Sequence, residues 1–334
     1  MAIDKGGNMN RKYRILEEFM LILALTLGSL NAHAQVSNAA TYPANPIRMV
    51  IPQAAGGNTD ILGRMIGEHL NRAWGVPVII DNRGGAGGNI GNEIVAKAAP
   101  NGYTLLTTSP ALVTSPALYK QLSYDPTKDF APIGIAAVIP QILAVHPSVM
   151  AKSVQELIQL AKNKPGSLNS GSPGPGSGPQ VATALFVSMA NVNIVQVAYK
   201  GTGPALTDLI GGQIQMMFGG LPALMPQIKS AKIRAIAIST SYRSKSLPDL
   251  PTIAESGLSG YDTAGWNGLA APAGTPRPIV DKLAEQLVEF KRRPDIQARF
   301  LAQGAEPIES SPDHFRKFIQ REVLQWKKVL KPEL

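Results

Sequence analysis

Residues 47–74, IRMVIPQAAGGNTDILGRMIGEHLNRAW, decide the fold. Ile47 to Ile51 is a short apolar run of strand length, and it reads as a buried strand. A glycine-rich turn follows it. Asn58 or Thr59 then offers a side-chain oxygen to cap a helix over Thr59 to Trp74, and Asp60 places negative charge beside the positive end of that helix. Working outward, Val76 to Asp81 is again strand-like, Asn89 to Ala98 helical, and Thr104 to Thr108 a short polar strand. A strand–helix–strand rhythm of this kind predicts an α/β fold, with a largely parallel sheet covered by helices on both faces.

The rhythm restarts further on. Ile142 to His146 reads as a strand and Ser153 to Asn163 as a helix. Leu168 to Pro179 is a Gly/Pro/Ser stretch, ending in a tight strand-to-helix loop over Gly171 to Pro179. A helix then runs through Ala190, followed by a strand at Ile194 to Val197 and a helix over Gly203 to Gly211. Ile214 to Phe218, Pro222 to Ser230 and Arg234 to Ile238 continue the alternation. This predicts a second α/β lobe, residues 139–262, inserted into a first lobe made of residues 35–138 and 263–334. The crossovers are expected at Pro132 to His146 and at Thr263 to Ala271. Pro278 to Lys291 and Pro312 to Leu330 return to the first lobe, the latter with an apolar stripe of Phe315, Phe318, Ile319, Val323, Trp326, Val329 and Leu330 at helical spacing, which reads as a core-packing face.

The first 34 residues read as a secretory leader. Lys5, Arg11, Lys12 and Arg14 are its positive region, Phe19 to Leu30 its apolar stretch, and Ala32-His33-Ala34 its cleavage site. Twelve apolar residues are too short to cross a hydrocarbon core of ~30 Å. The chain has no cysteine, which excludes disulfides, thiolate metal sites and an anchor built on a lipidated cysteine. An exported chain of this kind is expected in the periplasm. The formal charge is +9, but lysine and arginine are scattered and aromatics are few. A basic surface that favours the arrival of anions, and no nucleic-acid partner, is therefore expected.

Signatures of chemistry are weak. His69, His146 and His314 have no second ligand at metal spacing. No serine sits in a G-x-S-x-G elbow and no Gly-Lys-Ser/Thr sequence forms a phosphate loop. Gly85-Ala86-Gly87-Gly88-Asn89-Ile90-Gly91 misses the dinucleotide fingerprint by one residue and lacks a ribose-binding acid. No cofactor is expected. Three glycine-rich strand-to-helix turns point instead to recognition: Pro52 to Asp60, Ser172 to Ser177 and Lys200 to Gly203. Each brings unpaired backbone N–H groups and a helix N-terminus to one place, a natural anion site.

These segments resemble the substrate-binding receptors of tripartite tricarboxylate transporters, the Bug family. The resemblance runs through YPANPIRMVIPQAAGGNTD (42–60), DNRGGAGGNIG (81–91), AAPNGYTLL (98–106), YDPTKDFAPIG (124–134), AYKGTGPALTDLIGGQIQMMF (198–218), SLPDLPTIAESG (246–257) and GLAAPAGTP (268–276). It implies a type II periplasmic-binding-protein fold, two α/β lobes joined by two crossovers, with a small carboxylate held in the cleft by backbone amides and hydroxyls. It implies contacts from Gly56, Gly57, Asn58 and Thr59 on one wall, with Thr108 and Ser109 near them. The opposite wall would come from Ser172, Gly176 and Ser177, with Tyr199, Lys200, Gly201 and Thr202 beside them. The implied partner is a membrane permease, or alternatively a sensor kinase, and the implied state is a monomer. A hydrolase using Ser172 or Ser177 is the enzyme alternative, and it lacks a histidine base. The sequence departs from the family pattern at Gln53 and Ala54, where Phe and Pro are common, and at Gly219 and Gly220, where an acid and its neighbour often stand. A larger, more polar pocket with weak affinity for ammonium groups is the consequence expected.

Overall fold

The computed structural model describes residues 41–53, 55–56, 58–199 and 201–330. The secretory leader expected over residues 1–34 lies outside the described residues.

The parent strand β1 (Ile47–Ile51) pairs in parallel with β2 (Val78–Asn82) and β3 (Thr104–Thr108). Helices α1 (Asn58–Trp74) and α2 (Asn89–Ala96) make the connections. A third helix, α3 (Ala111–Leu118), follows β3. Strand β4 (Phe130–Ile139) then leads through Pro140 directly into β5 (Gln141–Val145), and these two strands belong to different sheets. Proline has no N–H to give to a ladder, so it is suited to the point where one sheet stops and the next begins.

The chain continues through α4 (Val154–Asn163), β6 (Asn169–Ser172), α5 (Gly178–Ala190), β7 (Val195–Ala198), α6 (Thr202–Ile210), β8 (Met216–Gly220), α7 (Leu221–Lys229) and β9 (Arg234–Ile238). The chain returns through residues 239–264 to β10 (Gly265–Pro272), and ends with α8 (Arg277–Arg292), α9 (Pro294–Ala302), β11 (Glu306–Pro307) and α10 (Pro312–Val329). The six-stranded sheet has the order β11-β4-β10-β3-β1-β2, and the five-stranded sheet β7-β6-β8-β5-β9.

The expectation of a largely parallel sheet is corrected. Strand β10 runs antiparallel to both β3 and β4, β11 is antiparallel to β4, and β5 is antiparallel to both β8 and β9. The cause is topological. The parallel pairs arise where a helix covers the crossover, whereas β4, β5 and β10 belong to the segments that pass between sheets and enter from the opposite end. The Gly/Pro/Ser stretch from Leu168 also contains a strand, β6, parallel to β7 and β8.

Three serines fix helix starts. Ser153, Ser177 and Ser311 accept from the N–H of Glu156, Gln180 and His314 at the heads of α4, α5 and α10, each cap contributing about 1 kcal/mol. The stripe of α10 faces inward. Phe315, Ile319, Val323 and Trp326 are buried, and Phe315 and Phe318 meet Trp266 of β10 edge-on at 5.5 and 5.2 Å. Burying each large side chain contributes about 1.5–3 kcal/mol, so this seam holds the last helix against the returning strand.

Candidate functional site

A cavity of about 880 Å³ opens where the strand ends of the two sheets face each other. Six helices present their first residues to it. Asn58 and Thr59 come from α1, Gly88 from the turn before α2, and Pro110 and Ala111 from α3. From the other sheet come Ser177 and Gly178 of α5, Gly201 and Thr202 of α6, and Gly220 before α7. Each helix end carries roughly half a positive charge, although the Gly88 and Gln180 N–H groups are already taken, by the Gly85 carbonyl and the Ser177 hydroxyl. Among the described residues that line the cavity there is no Asp, Glu, Lys, Arg or His. Among the described residues its electrostatics are therefore those of converging dipoles, attractive to an anion.

The local sequence explains how these ends come so close. At Gly88 φ is +102°, and a Cβ there would stand 3.1 Å from the Pro52 carbonyl oxygen, so only glycine lets α2 start against the end of β1. Gly176 has φ +74° and lies over α3, where a Cβ would meet Thr114 Oγ1 at 3.3 Å. Behind the α1 turn, Asp60 accepts from the Gly56 N–H at 2.8 Å, from Arg64 Nε at 3.0 Å and from Asn82 Nδ2 at 2.8 Å. Burial works to raise its pKa, but the hydrogen bonds from Arg64, Gly56 and Asn82 outweigh that and hold the carboxyl below its ordinary range. Its charge is thereby used up in bracing the turn.

Of the residues expected from sequence, Gln53, Asn58, Thr59, Ser109, Gly176, Ser177, Gly201 and Thr202 line the cavity. Ala54, Gly57 and Lys200 lie outside the described residues. The remaining five stand back from it. Gly56 is exposed and gives its N–H to Asp60. Thr108 is fully buried, with its hydroxyl unpaired and its carbonyl accepting from Asn267. Ser172 is buried at the end of β6. Tyr199 donates to Asp208 at 2.7 Å, and burial together with that carboxylate pushes its phenol up to about 12. Gly219 faces away, since a Cβ there would meet Leu224 at 3.0 Å; its neighbour Gly220 opens on the cavity.

Besides Pro110 and Ala111, two groups of lining residues are not found from sequence. Gly84, Gly85, Gly87 and Gly88 line the cavity; the sequence reads Gly85 to Gly91 only as a near miss to a dinucleotide turn, although the same glycine-rich strand-to-helix geometry serves any anion. Ile139, Gln141, Gly265, Trp266 and Asn267 line the back of the cavity. They sit on the segments expected to cross between lobes, Pro132 to His146 and Thr263 to Ala271, and no local pattern marks those segments as part of a ligand site. The Ser177 hydroxyl donates to the Gly174 carbonyl at 2.7 Å and accepts from the Gln180 N–H, so its partners among the described residues include no base. Among the described residues no cluster of His, Asp and Glu is arranged to hold a metal.

The comparisons agree with this architecture. The family model described as "Tripartite tricarboxylate transporter family receptor" matches residues 62–333. Protein BugT of Bordetella pertussis is 34% identical over 95% of this chain and 97% of its own length. Among solved structures, R. palustris Rpa4515 with adipate is 37% identical with a TM-score of 0.75, covering 86% of this chain and 97% of that one. MatC from Rhodopseudomonas palustris with bound malate is 32% identical, TM-score 0.73, over 86% and 99%. The periplasmic binding protein BugD is 35% identical, TM-score 0.72, over 87% and 100%. The chain belongs to the tripartite tricarboxylate transporter receptor family, the Bug-type solute-binding proteins.

Proposed function

We propose that this protein captures a small carboxylate between two lobes, residues 35–138 with 263–334 and residues 139–262, and delivers it from the periplasm to a tripartite tricarboxylate-type membrane permease. The observation that carries this reading is the convergence of six helix N-termini on a cavity without a charged side chain among its described lining residues. Adipate and malate in two relatives of the same fold support the ligand class. A hydrogen bond to a charged oxygen contributes about 1.5–3 kcal/mol. Four or five such bonds cover the ~8 kcal/mol of micromolar binding once ordering costs are met.

Closure is a population shift in this reading. Only a closed cleft offers both sets of donors to one ligand, so the ligand stabilises that state. The cleft needs no catalytic group for this task, and Ser177 is occupied as a helix cap. Leader cleavage near Ala34 accompanies export. The test is isothermal titration of the mature protein with succinate, malate, adipate and citrate, beside putrescine and glucose as controls. Micromolar binding of at least one carboxylate is expected, and neither control is expected to bind. Binding of a control with no carboxylate response would overturn the assignment.

A further inference from the structure

We propose that Asn267, on β10, is a positioning residue that turns the Thr59 hydroxyl into a dedicated donor to the ligand. The inference rests on the carboxylate-capture reading and says how one contact of that site is set. Asn267 is 4% exposed and Thr59 3%, and both line the cavity. The Asn267 carboxamide nitrogen lies 3.0 Å from the Thr108 carbonyl oxygen and 3.0 Å from Thr59 Oγ1. A carbonyl only accepts, which fixes the amide orientation: the nitrogen, not the oxygen, faces Thr108. Its second N–H then points at Thr59, and the Thr59 oxygen is the acceptor. The hydroxyl proton of Thr59 is thereby directed elsewhere. Among the described residues no protein acceptor takes it, and Thr59 lines the cavity.

The arrangement matters because a threonine hydroxyl is otherwise ambivalent. At a helix N-terminus it can accept from a backbone N–H or give its proton to a nearby carbonyl. The Asn267 N–H fills one of its two lone pairs and so sets the direction of its proton. It also couples three elements at one point: the start of α1, the end of β3 and the strand returning from the other sheet. An aspartate at 267 has the same shape but only accepts. It would draw the Thr59 proton toward itself, strand the Thr108 carbonyl and place a negative charge beside an anion.

The test uses titration calorimetry of the mature protein with adipate and with malate, on wild type, Thr59→Val, Thr59→Ser, Asn267→Ala, Asn267→Asp and the Thr59→Val/Asn267→Ala double variant. Thr59→Val keeps the shape and is expected to weaken binding about tenfold to a hundredfold, the loss of one hydrogen bond to a charged oxygen. Thr59→Ser is expected to rescue it. Asn267→Ala is expected to match Thr59→Val, and to cost nothing further in the Thr59→Val background. Asn267→Asp is expected to bind more weakly still. Wild-type-like affinity of Thr59→Val overturns the proposal even if the Asn267 variants do not fold, and so do additive losses in the double variant. Absence of wild-type binding to adipate, malate, succinate and citrate alike overturns it together with the carboxylate reading, whereas binding with an unaffected Thr59→Val overturns the positioning role alone.

Discussion

Ser244 donates a 2.6 Å hydrogen bond to the Glu306 carboxylate, tying the segment that returns from the second sheet to β11 at the edge of the first. The Tyr242 hydroxyl, two residues earlier, also faces Glu306. Strand β11 pairs with β4 at Val138, two residues before the chain crosses at Pro140. The pair is therefore a strap beside both crossovers. Ser244 is buried, and truncating it leaves a carboxylate oxygen with one partner fewer. Ser244→Ala is expected to cost about 1–3 kcal/mol in urea unfolding. A change within the extrapolation error would show that the strap contributes nothing.

Alkaline pH is expected to destabilise the fold. Burial raises the phenol pKa of Tyr124, Tyr199, Tyr242 and Tyr261, with nearby Asp208 adding at Tyr199 and Glu306 and Asp262 adding at Tyr242. For a group whose pKa is higher folded than unfolded, the folded state holds the extra proton above the unfolded value of about 10. Stability is thus complete below pH 10 and falls as pH rises through 10 and beyond. Melting temperatures measured between pH 8 and 11 should decline most steeply at the upper end. In Tyr261→Phe, which removes the most buried phenol and its bond to the Ala182 carbonyl, the decline should be shallower from a lower starting point.

How far this was legible depends on the range over which the signal acts. Strand β1 and helix α1 announce themselves because an apolar run and a capped helix are local events. Strand β6 does not. Asn169-Ser170-Gly171-Ser172 has little strand propensity, and it is a strand because β7 and β8 flank it and Gly171 leaves room for Ile214. Helix α3 was missed because seven of its eight residues are buried, so it carries no period. In the site, glycine-rich turns were readable as anion loops one by one. Asn267 was not, since its partner Thr59 is 208 positions away and the two meet only when the crossover strand enters the first sheet.

Gly219 and Gly220 separate ligand choice from stability. An acid commonly stands at this pair in the family pattern, and this chain has neither side chain. Gly220 opens on the cavity, whereas a Cβ on Gly219 meets Leu224, which is fully buried. Gly220→Asp is expected to lower carboxylate affinity at least tenfold by setting like charge beside the anion, with modest change in melting temperature. Gly219→Asp is expected to act the other way round: a buried, unpaired carboxylate against leucine costs several kcal/mol or forces protonation. Titration calorimetry and thermal melts on the two variants read the two effects apart. Equal loss of affinity with equal loss of stability would contradict the assignment of faces.

Ligand-driven closure makes a claim about shape. The turn around Gly176 belongs to the second sheet and Thr114 to α3 of the first, and they meet over the cavity closely enough that even a Cβ at Gly176 would crowd Thr114 Oγ1 at 3.3 Å. A valine there adds bulk at the contact and forces a β-branched residue to φ +74°, a conformation it rarely adopts. Gly176→Val is therefore expected to prop the cleft open. In small-angle scattering the wild type should contract when saturated with a carboxylate that binds it, while Gly176→Val should stay larger and respond less. Buried Trp266 lines the same cavity, so its fluorescence supplies a second reading on the same samples. A fluorescence change without contraction in the wild type would mean that the ligand enters a cleft already closed, and the population-shift account of capture would have to be abandoned.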